Sequence, residues 1–320
     1  MAIANVNGTI TSGHEARISV FDHGFLFGEG VYETLRTYNG RPFLLDRHLR
    51  RLRTSAGMIN LDVPLNNEEF TARLTETLAA AREMIPPFPP SSPSAPSSPS
   101  ASSPPSASSS PEWYVRVLLT RGVGELSYDP AACPTPSLVI IVKPLEVPSP
   151  DAYDKGVSVV LVSVMRNHPD SVNPLIKSNN LLNNALAMQE AVRRGAFEGV
   201  MRNYRGEISE CTTANIFVVK DGLVLTPPLD AGLLAGITRE FLFELGPAQG
   251  VPVRDAVLRD DDLFGADEVF LTSTTRELVP IVRVDDRTIG HGKPGPVTRK
   301  LLRAFRDQAH ALTKAGASRR

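Results

Sequence analysis

Cysteine is scarce in this chain of 320 residues: Cys133 and Cys211 are the whole complement, and neither has a Cys-x-x-Cys partner. A disulfide framework and a zinc ribbon are thereby excluded, and a reducing cytoplasm is the expected compartment. Long apolar runs are missing too. Nowhere do about eighteen uncharged apolar residues follow one another, so no membrane-spanning helix is expected. The opening Met1-Ala-Ile-Ala-Asn-Val-Asn-Gly8 has no basic stretch leading into an apolar one, and no signal peptide is read there. Nor does charge of one sign dominate: 34 basic residues face 35 acidic ones, a net charge of −1. No global field exists to gather nucleic acid or an anionic membrane, so neither is an expected partner. No internal repeat and no metal-ligating cluster stands out.

What is present is apolar material, 42% of the chain, enough for one large or two ordinary domains. The main anomaly is 86–111, which from Pro89 onward contains only Pro, Ser and Ala. Such a tract cannot bury enough apolar surface to offset its ordering entropy, and a solvated, mobile excursion is expected. It reads as a linker or as an insertion inside one domain; the insertion is preferred because neither flank makes a core alone. The left flank carries Phe70, Leu74, Leu78 and Ala81 at helical spacing, and the right flank, Trp113–Thr120, has strand composition.

Upstream, Asn39-Gly40 marks a hairpin turn. A helix follows from Asp46 as N-cap, with Leu45, Leu49 and Leu52 on one stripe and Arg51 off it, free to point into a cleft. Pro-bearing 143–150 is the expected boundary between domains of 1–146 and 151–320. Beyond it, 157–164 reads as a strand and 180–194 as a helix with Leu182, Leu186 and Ala191 inward and Gly195 as its stop. Short strands follow, two of them joined by Asp221-Gly222. A helix over 238–245 is expected to stop at Gly246, and Pro296 opens a last helix bearing Val297, Leu301 and Phe305.

Lys177 stands just before a helix with Leu175 and Ile176 beside it, surroundings that favour a neutral, nucleophilic amine. Glu210 lies thirty-three positions on, at the end of a short strand, where a carboxylate can hold a proton on a pyridine nitrogen. Gly236, Ile237 and Thr238 lead into a helix whose first amides can face an anion. Ser273, Thr274 and Thr275 form a hydroxyl-rich turn, and Arg51 offers a fork-shaped charged donor. Each also has a plain reading: a solvated lysine, a turn carboxylate, Thr238 as an ordinary N-cap, a polar turn, a solvated helix arginine.

Five motifs in order change that balance. Asp22…Gly24…Gly28-Glu29-Gly30-Val-Tyr32, Lys177-Ser178…Asn180…Leu182…Asn184…Leu186-Ala187, Glu210…Asn215-Ile-Phe217, Gly236-Ile-Thr-Arg239 and Ser273-Thr-Thr275 resemble the class IV, or fold-type IV, pyridoxal-phosphate enzymes. That group holds branched-chain and D-amino-acid aminotransferases, R-selective amine transaminases and aminodeoxychorismate lyase, and the resemblance runs from about Asn7 to Phe305. It implies an α+β fold of two domains, a small N-terminal α/β domain and a larger C-terminal one with β-barrel-like sheets. It implies pyridoxal 5′-phosphate as cofactor, Lys177 as the Schiff-base lysine, Glu210 as partner of the ring nitrogen and Leu234 under the ring. The phosphate would lie on Arg51, Ile237, Thr238 and Thr274, with Gly236 and Ser273 also binding the cofactor; the substrate side would be Tyr32, Thr34, Arg36, Tyr128, Thr274 and Thr275. A homodimer, acting on an amino acid and a 2-oxo acid, is the implied assembly.

D-amino-acid enzymes place an Arg and a His, two apart, in the loop after Thr-Arg-Gly; behind Thr120-Arg-Gly122 the matching positions are Leu126 and Tyr128. Branched-chain enzymes are therefore the closer pattern, although Glu207 stands where they commonly carry a tyrosine. The lyase is the main alternative, since Thr34 and Glu210-Cys-Thr-Thr-Ala-Asn215 resemble it as well, with D-amino-acid and R-amine transaminases behind it.

Overall fold

The computed structural model describes residues 1–85 and 111–314, so the Pro/Ser/Ala tract and the expectation of its mobility fall outside the described residues. A six-stranded sheet is built from β1 (Ile3–Val6), β2 (Thr9–Ser12), β3 (Gly30–Tyr38), β4 (Arg41–Pro42), β5 (Trp113–Thr120) and β6 (Ser137–Pro144), in the order β2-β1-β6-β5-β3-β4. Its helices are the short α1 (His23–Leu26), α2 (Leu45–Gly57) and α3 (Asn67–Met84). Alternation decides which face they cover. Trp113, Val115, Val117 and Leu119 of β5 are buried against Leu49, Leu52 and Ala56 of α2 and Phe70, Leu74 and Leu78 of α3. Each large side chain buried there contributes about 1.5–3 kcal/mol. Because α3 and β5 share this core, both flanks of the tract belong to one packed unit.

A nine-stranded sheet holds the second half. Its strands are β7 (Val157–Leu161), β8 (Glu198–Arg202), β9 (Ile208–Cys211), β10 (Asn215–Lys220), β11 (Leu223–Thr226), β12 (Val253–Asp255), β13 (Glu268–Ser273), β14 (Glu277–Val284) and β15 (Arg287–Thr288). The order is β12-β11-β10-β13-β14-β7-β8-β9, with β15 on β14, and parallel and antiparallel pairs are mixed. α4 (Pro150–Asp154), α5 (Leu182–Arg193), α6 (Ile237–Ala248), α7 (Asp260–Phe264) and α8 (Pro296–Thr313) pack around it. The α+β class is as expected from the sequence. Tyr38 and Phe43 of the first half join Phe217, Phe241 and Phe305 of the second in a shared aromatic core, which holds the two sheets together. No helix of the described residues is long and apolar enough to cross a membrane.

Three local expectations are corrected. α6 does not stop at Gly246 but runs on to Ala248; Gly246 is there because a Cβ would strike Val251 and Val253 of the adjoining chain. α2 starts two residues early, capped by Leu44 in a left-handed conformation rather than by the Asp46 side chain. On α5 the buried residues are Ala187 and Ala191, whereas Leu182 and Leu186 point outward, 66% and 45% exposed. Asn39-Gly40 and Asp221-Gly222 do turn hairpins, each with positive φ at both positions.

Candidate active site

Where the two sheets meet lies a cavity of about 490 Å³, within the range of small-molecule sites. Lys177 is on its wall, and the chain around it is fixed by backbone pairing with β3: Tyr32 N–H donates to Lys177 O at 2.9 Å and Asn179 N–H to Gly30 O at 2.9 Å. Lys177 N–H in turn donates to Ser55 Oγ of α2 at 3.1 Å. The segment before α5 thus behaves as a short extra strand on the other sheet. Its ammonium lies 4.3 Å from the centroid of the Tyr32 ring. Gly30 must be glycine here, since a Cβ would sit 2.6 Å from the Asn179 amide and 2.7 Å from Leu119 O.

Glu210 lines the same cavity from β9. Arg166 Nε donates to its Oε1 at 2.8 Å; Leu234 N–H and Asn215 Nδ2 donate to Oε2 at 3.1 and 3.4 Å. A carboxylate has about four lone-pair sites, so these three donors fix its plane and leave room for one more N–H. Leu234 stands on the wall beside it.

At the other end, α6 begins at Ile237 with Gly236 as N-cap, and no side chain caps it. Thr238 lies inside the helix rather than capping it, so the first amides are free to face an anion. A Cβ at Gly236 would overlap the Asn215 amide oxygen. Arg51 reaches this end from α2: its Nε and NH2 donate to Glu33 at 2.7 and 2.8 Å, and its NH1 donates to Ala235 O at 2.8 Å. Ser273, Thr274 and Thr275 close the wall between β13 and β14.

Arg51, Glu33 and His48 form a buried triad. Burial alone would raise the Glu33 carboxyl, but Arg51 and His48 outweigh that and hold it well below the usual range. Burial pushes the His48 imidazole down, only partly countered by Glu33. His48 is therefore a neutral ring whose Nδ1–H donates to Glu33 Oε2 at 2.7 Å. A base whose folded pKa lies below its unfolded value binds fewer protons when folded, so stability falls as pH drops below about 6.5. The melting temperature should decline as pH falls below about 6.5, with up to about 1.4 kcal/mol per pH unit from this site. His48→Gln should flatten that part of the curve; parallel curves for both proteins would assign the slope elsewhere.

Twelve of the fourteen candidate residues therefore line one cavity, and two do not. Arg36 shares a strand face with Tyr32 and Thr34 but lies further along β3, where its NH1 donates to Glu277 Oε1 at 3.1 Å and to Thr275 O at 3.3 Å. It braces the 273–275 turn from outside the cavity. Tyr128 is 85% exposed on the loop after β5, tilted against Phe27. Glu207 is also off the cavity, bonded to Asn203 and Arg205. Sequence reasoning missed Arg116, Tyr114 and Arg166, which line it. Arg116 faces inward from β5 opposite Thr34, its guanidinium 4.1 Å from the Tyr32 ring centroid. Among the described residues no hydrogen bond or ion pair engages that guanidinium. The signal was the alternation of β5, which puts Tyr114 and Arg116 on the face opposite the core residues.

These residues fit a phosphorylated pyridine aldehyde on the donor set alone: one lysine amine, one carboxylate with a free acceptor site, and a helix N-terminus beside an arginine that has N–H groups to spare. The comparisons agree. The family described as Amino-transferase class IV matches residues 30–284. The "Putative branched-chain-amino-acid aminotransferase" of Methanocaldococcus jannaschii is 35% identical over 94% of this chain and 94% of its own length. The D-alanine aminotransferase of Bacillus licheniformis is 30% identical over 94% and 95%. Among solved structures, the T.th. branched-chain amino acid aminotransferase with pyridoxamine 5′-phosphate superposes with a TM-score of 0.83 at 26% identity, covering 97% of this chain and 94% of its own.

Proposed function

The chain belongs to the class IV aminotransferases, pyridoxal-phosphate enzymes, and we propose that it moves the amino group of a branched-chain L-amino acid onto a 2-oxo acid. The observation that carries this reading is the single cavity holding Lys177, Glu210, the α6 cradle and an uncommitted Arg116. When bound, pyridoxal 5′-phosphate supplies an aldehyde for the amino group and an electron-withdrawing ring. Lys177 anchors it and then, as a free amine, takes the proton from the substrate's Cα as general base. Glu210, fixed by Arg166, keeps the ring nitrogen protonated. Arg51, the amides of Ile237 and Thr238, and the Thr274 hydroxyl hold the phosphate. Arg116 and Tyr32 receive the substrate, the arginine taking its carboxylate.

Absence of the Arg/His pair at Leu126 and Tyr128 favours this substrate class over D-alanine, although D-alanine aminotransferases are among the relatives. A panel of single half-reactions tests it: L-leucine and L-valine should convert the cofactor, and D-alanine, (R)-1-phenylethylamine and aminodeoxychorismate should not. Pyruvate release from the last compound alone would overturn it in favour of the lyase. In the same panel Arg116→Met should raise KM for amino and oxo acids roughly 10- to 100-fold, the worth of a charge-assisted hydrogen bond, with kcat less affected. An unchanged KM removes Arg116 from the substrate site.

The working unit we infer is a homodimer. Ile18, Val20, Phe21, Phe25, Val123, Leu126 and Tyr128 are exposed on two segments bridged at Asp22 and Val123, an apolar patch of the kind that marks a protein interface. We keep the division into 1–146 and 151–320, which the separate sheets support. Free thiols at Cys133 and Cys211 support a reducing, cytoplasmic setting.

A further inference from the structure

We propose that Glu33 is the positioning residue of the phosphate end, acting through Arg51, with His48 holding it in place. The inference rests on the cavity being a cofactor site. A guanidinium has five N–H bonds. In Arg51, Nε–H and one N–H of NH2 go to the two oxygens of Glu33, and one N–H of NH1 goes to Ala235 O. What remains is one N–H on each terminal nitrogen. Two donors on one rigid fork are what a phosphate accepts side by side.

The carboxylate decides which two remain. Glu33 is 1% exposed, so no water replaces it if it moves, and its side chain projects from the opposite face of β3 to Tyr32 and Thr34. His48, one helical turn before Arg51 on α2, donates to the Oε2 that also accepts from Arg51 NH2. Four residues beyond Arg51, Ser55 of the same helix accepts the backbone N–H of Lys177. One helix therefore carries the donor for the phosphate and the acceptor that sets the lysine, and Glu33 fixes the rotation of the first relative to the second. With an amide in place of the carboxylate, an N–H₂ would oppose one of the Arg51 donors, and the guanidinium would have to turn. Its two free N–H bonds would then leave the cavity.

The role is distinguishable from mere support of the fold because it concerns the phosphate alone. Binding of pyridoxal 5′-phosphate and of pyridoxal, which has the same ring and aldehyde without the phosphate, is titrated spectroscopically on wild type, Glu33→Gln, Arg51→Ala and the double variant. Glu33→Gln should weaken pyridoxal 5′-phosphate roughly 10- to 100-fold and pyridoxal by less than about twofold, and add nothing in the Arg51→Ala background. Equal losses for both ligands, or an unchanged affinity for the phosphorylated one, overturns the proposal. Should Glu33→Gln fail to fold, Glu33→Asp keeps the charge, withdraws it by one methylene and is read by the same ratio of affinities. Wild type that binds neither compound would instead refute the cofactor reading, a failure seen before any variant is made.

Discussion

Lys177→Ala is expected to lose the visible absorbance that a lysine-bonded cofactor confers and, with it, turnover. Two contributions vanish together: the amine that anchors the coenzyme and the base that takes the Cα proton, the second alone worth about 10²–10⁴ in rate. Among the described residues no other lysine lines the cavity, so none is placed to substitute. The fold should survive. The pairing of Tyr32 N–H with Lys177 O and of Lys177 N–H with Ser55 Oγ uses backbone atoms that alanine retains. What is lost is the ammonium over the Tyr32 ring at 4.3 Å, about 0.5–2 kcal/mol. Cofactor should still associate through its phosphate, because Arg51 and the α6 amides are untouched. The measurement is a spectrum and a single-turnover rate on the purified variant beside a melting curve. An intact visible band would place the covalent bond on another lysine and overturn the assignment.

Much of this site was legible in the residues because its chemistry demands particular types at fixed places. Glycine at 236 and at 30 is required by close approach of neighbouring chain, and such glycines stand out in a motif. Lys177 and Glu210 come with them in order, and with Gly236 they line one cavity. Arg36 was misplaced for a reason of length. Alternation correctly assigns it the face of Tyr32 and Thr34, but four residues of strand carry it about 13 Å past Tyr32, beyond the cavity. Arg116 was missed because its partner is only visible once the register of β3 against β5 is known; in the sequence it is one arginine in a hydrophobic strand. Leu182 and Leu186 mark a third limit. Helical spacing reveals a stripe, but α5 buries its alanines against β8 and leaves those leucines outside, since small residues let helix and sheet approach closely. A stripe tells that a face is apolar and not which partner covers it.

Glu210→Gln should leave the coenzyme bound and slow the removal of the Cα proton. The carboxylate's charge faces the ring nitrogen, and keeping that nitrogen protonated is what lets the ring accept the electron pair left on Cα. A neutral amide removes that bias, and loss of a preorganised electrostatic partner of this kind costs roughly 10²–10³ in rate. The amide also fits poorly. Oε1 faces Arg166 and Oε2 faces Leu234 N–H and Asn215 Nδ2, so whichever way the amide turns, its N–H₂ meets a donor. One unsatisfied buried donor costs about 1–3 kcal/mol, and a small drop in melting temperature should accompany the kinetic defect. The two effects separate in a single-turnover experiment with substrate deuterated at Cα. If Glu210 acts on the proton-transfer step, the variant shows a larger isotope effect than wild type, because that step has become the slow one. A drop in stability with an unchanged rate and isotope effect would leave Glu210 as a brace for the Arg166 side of the cavity and nothing more.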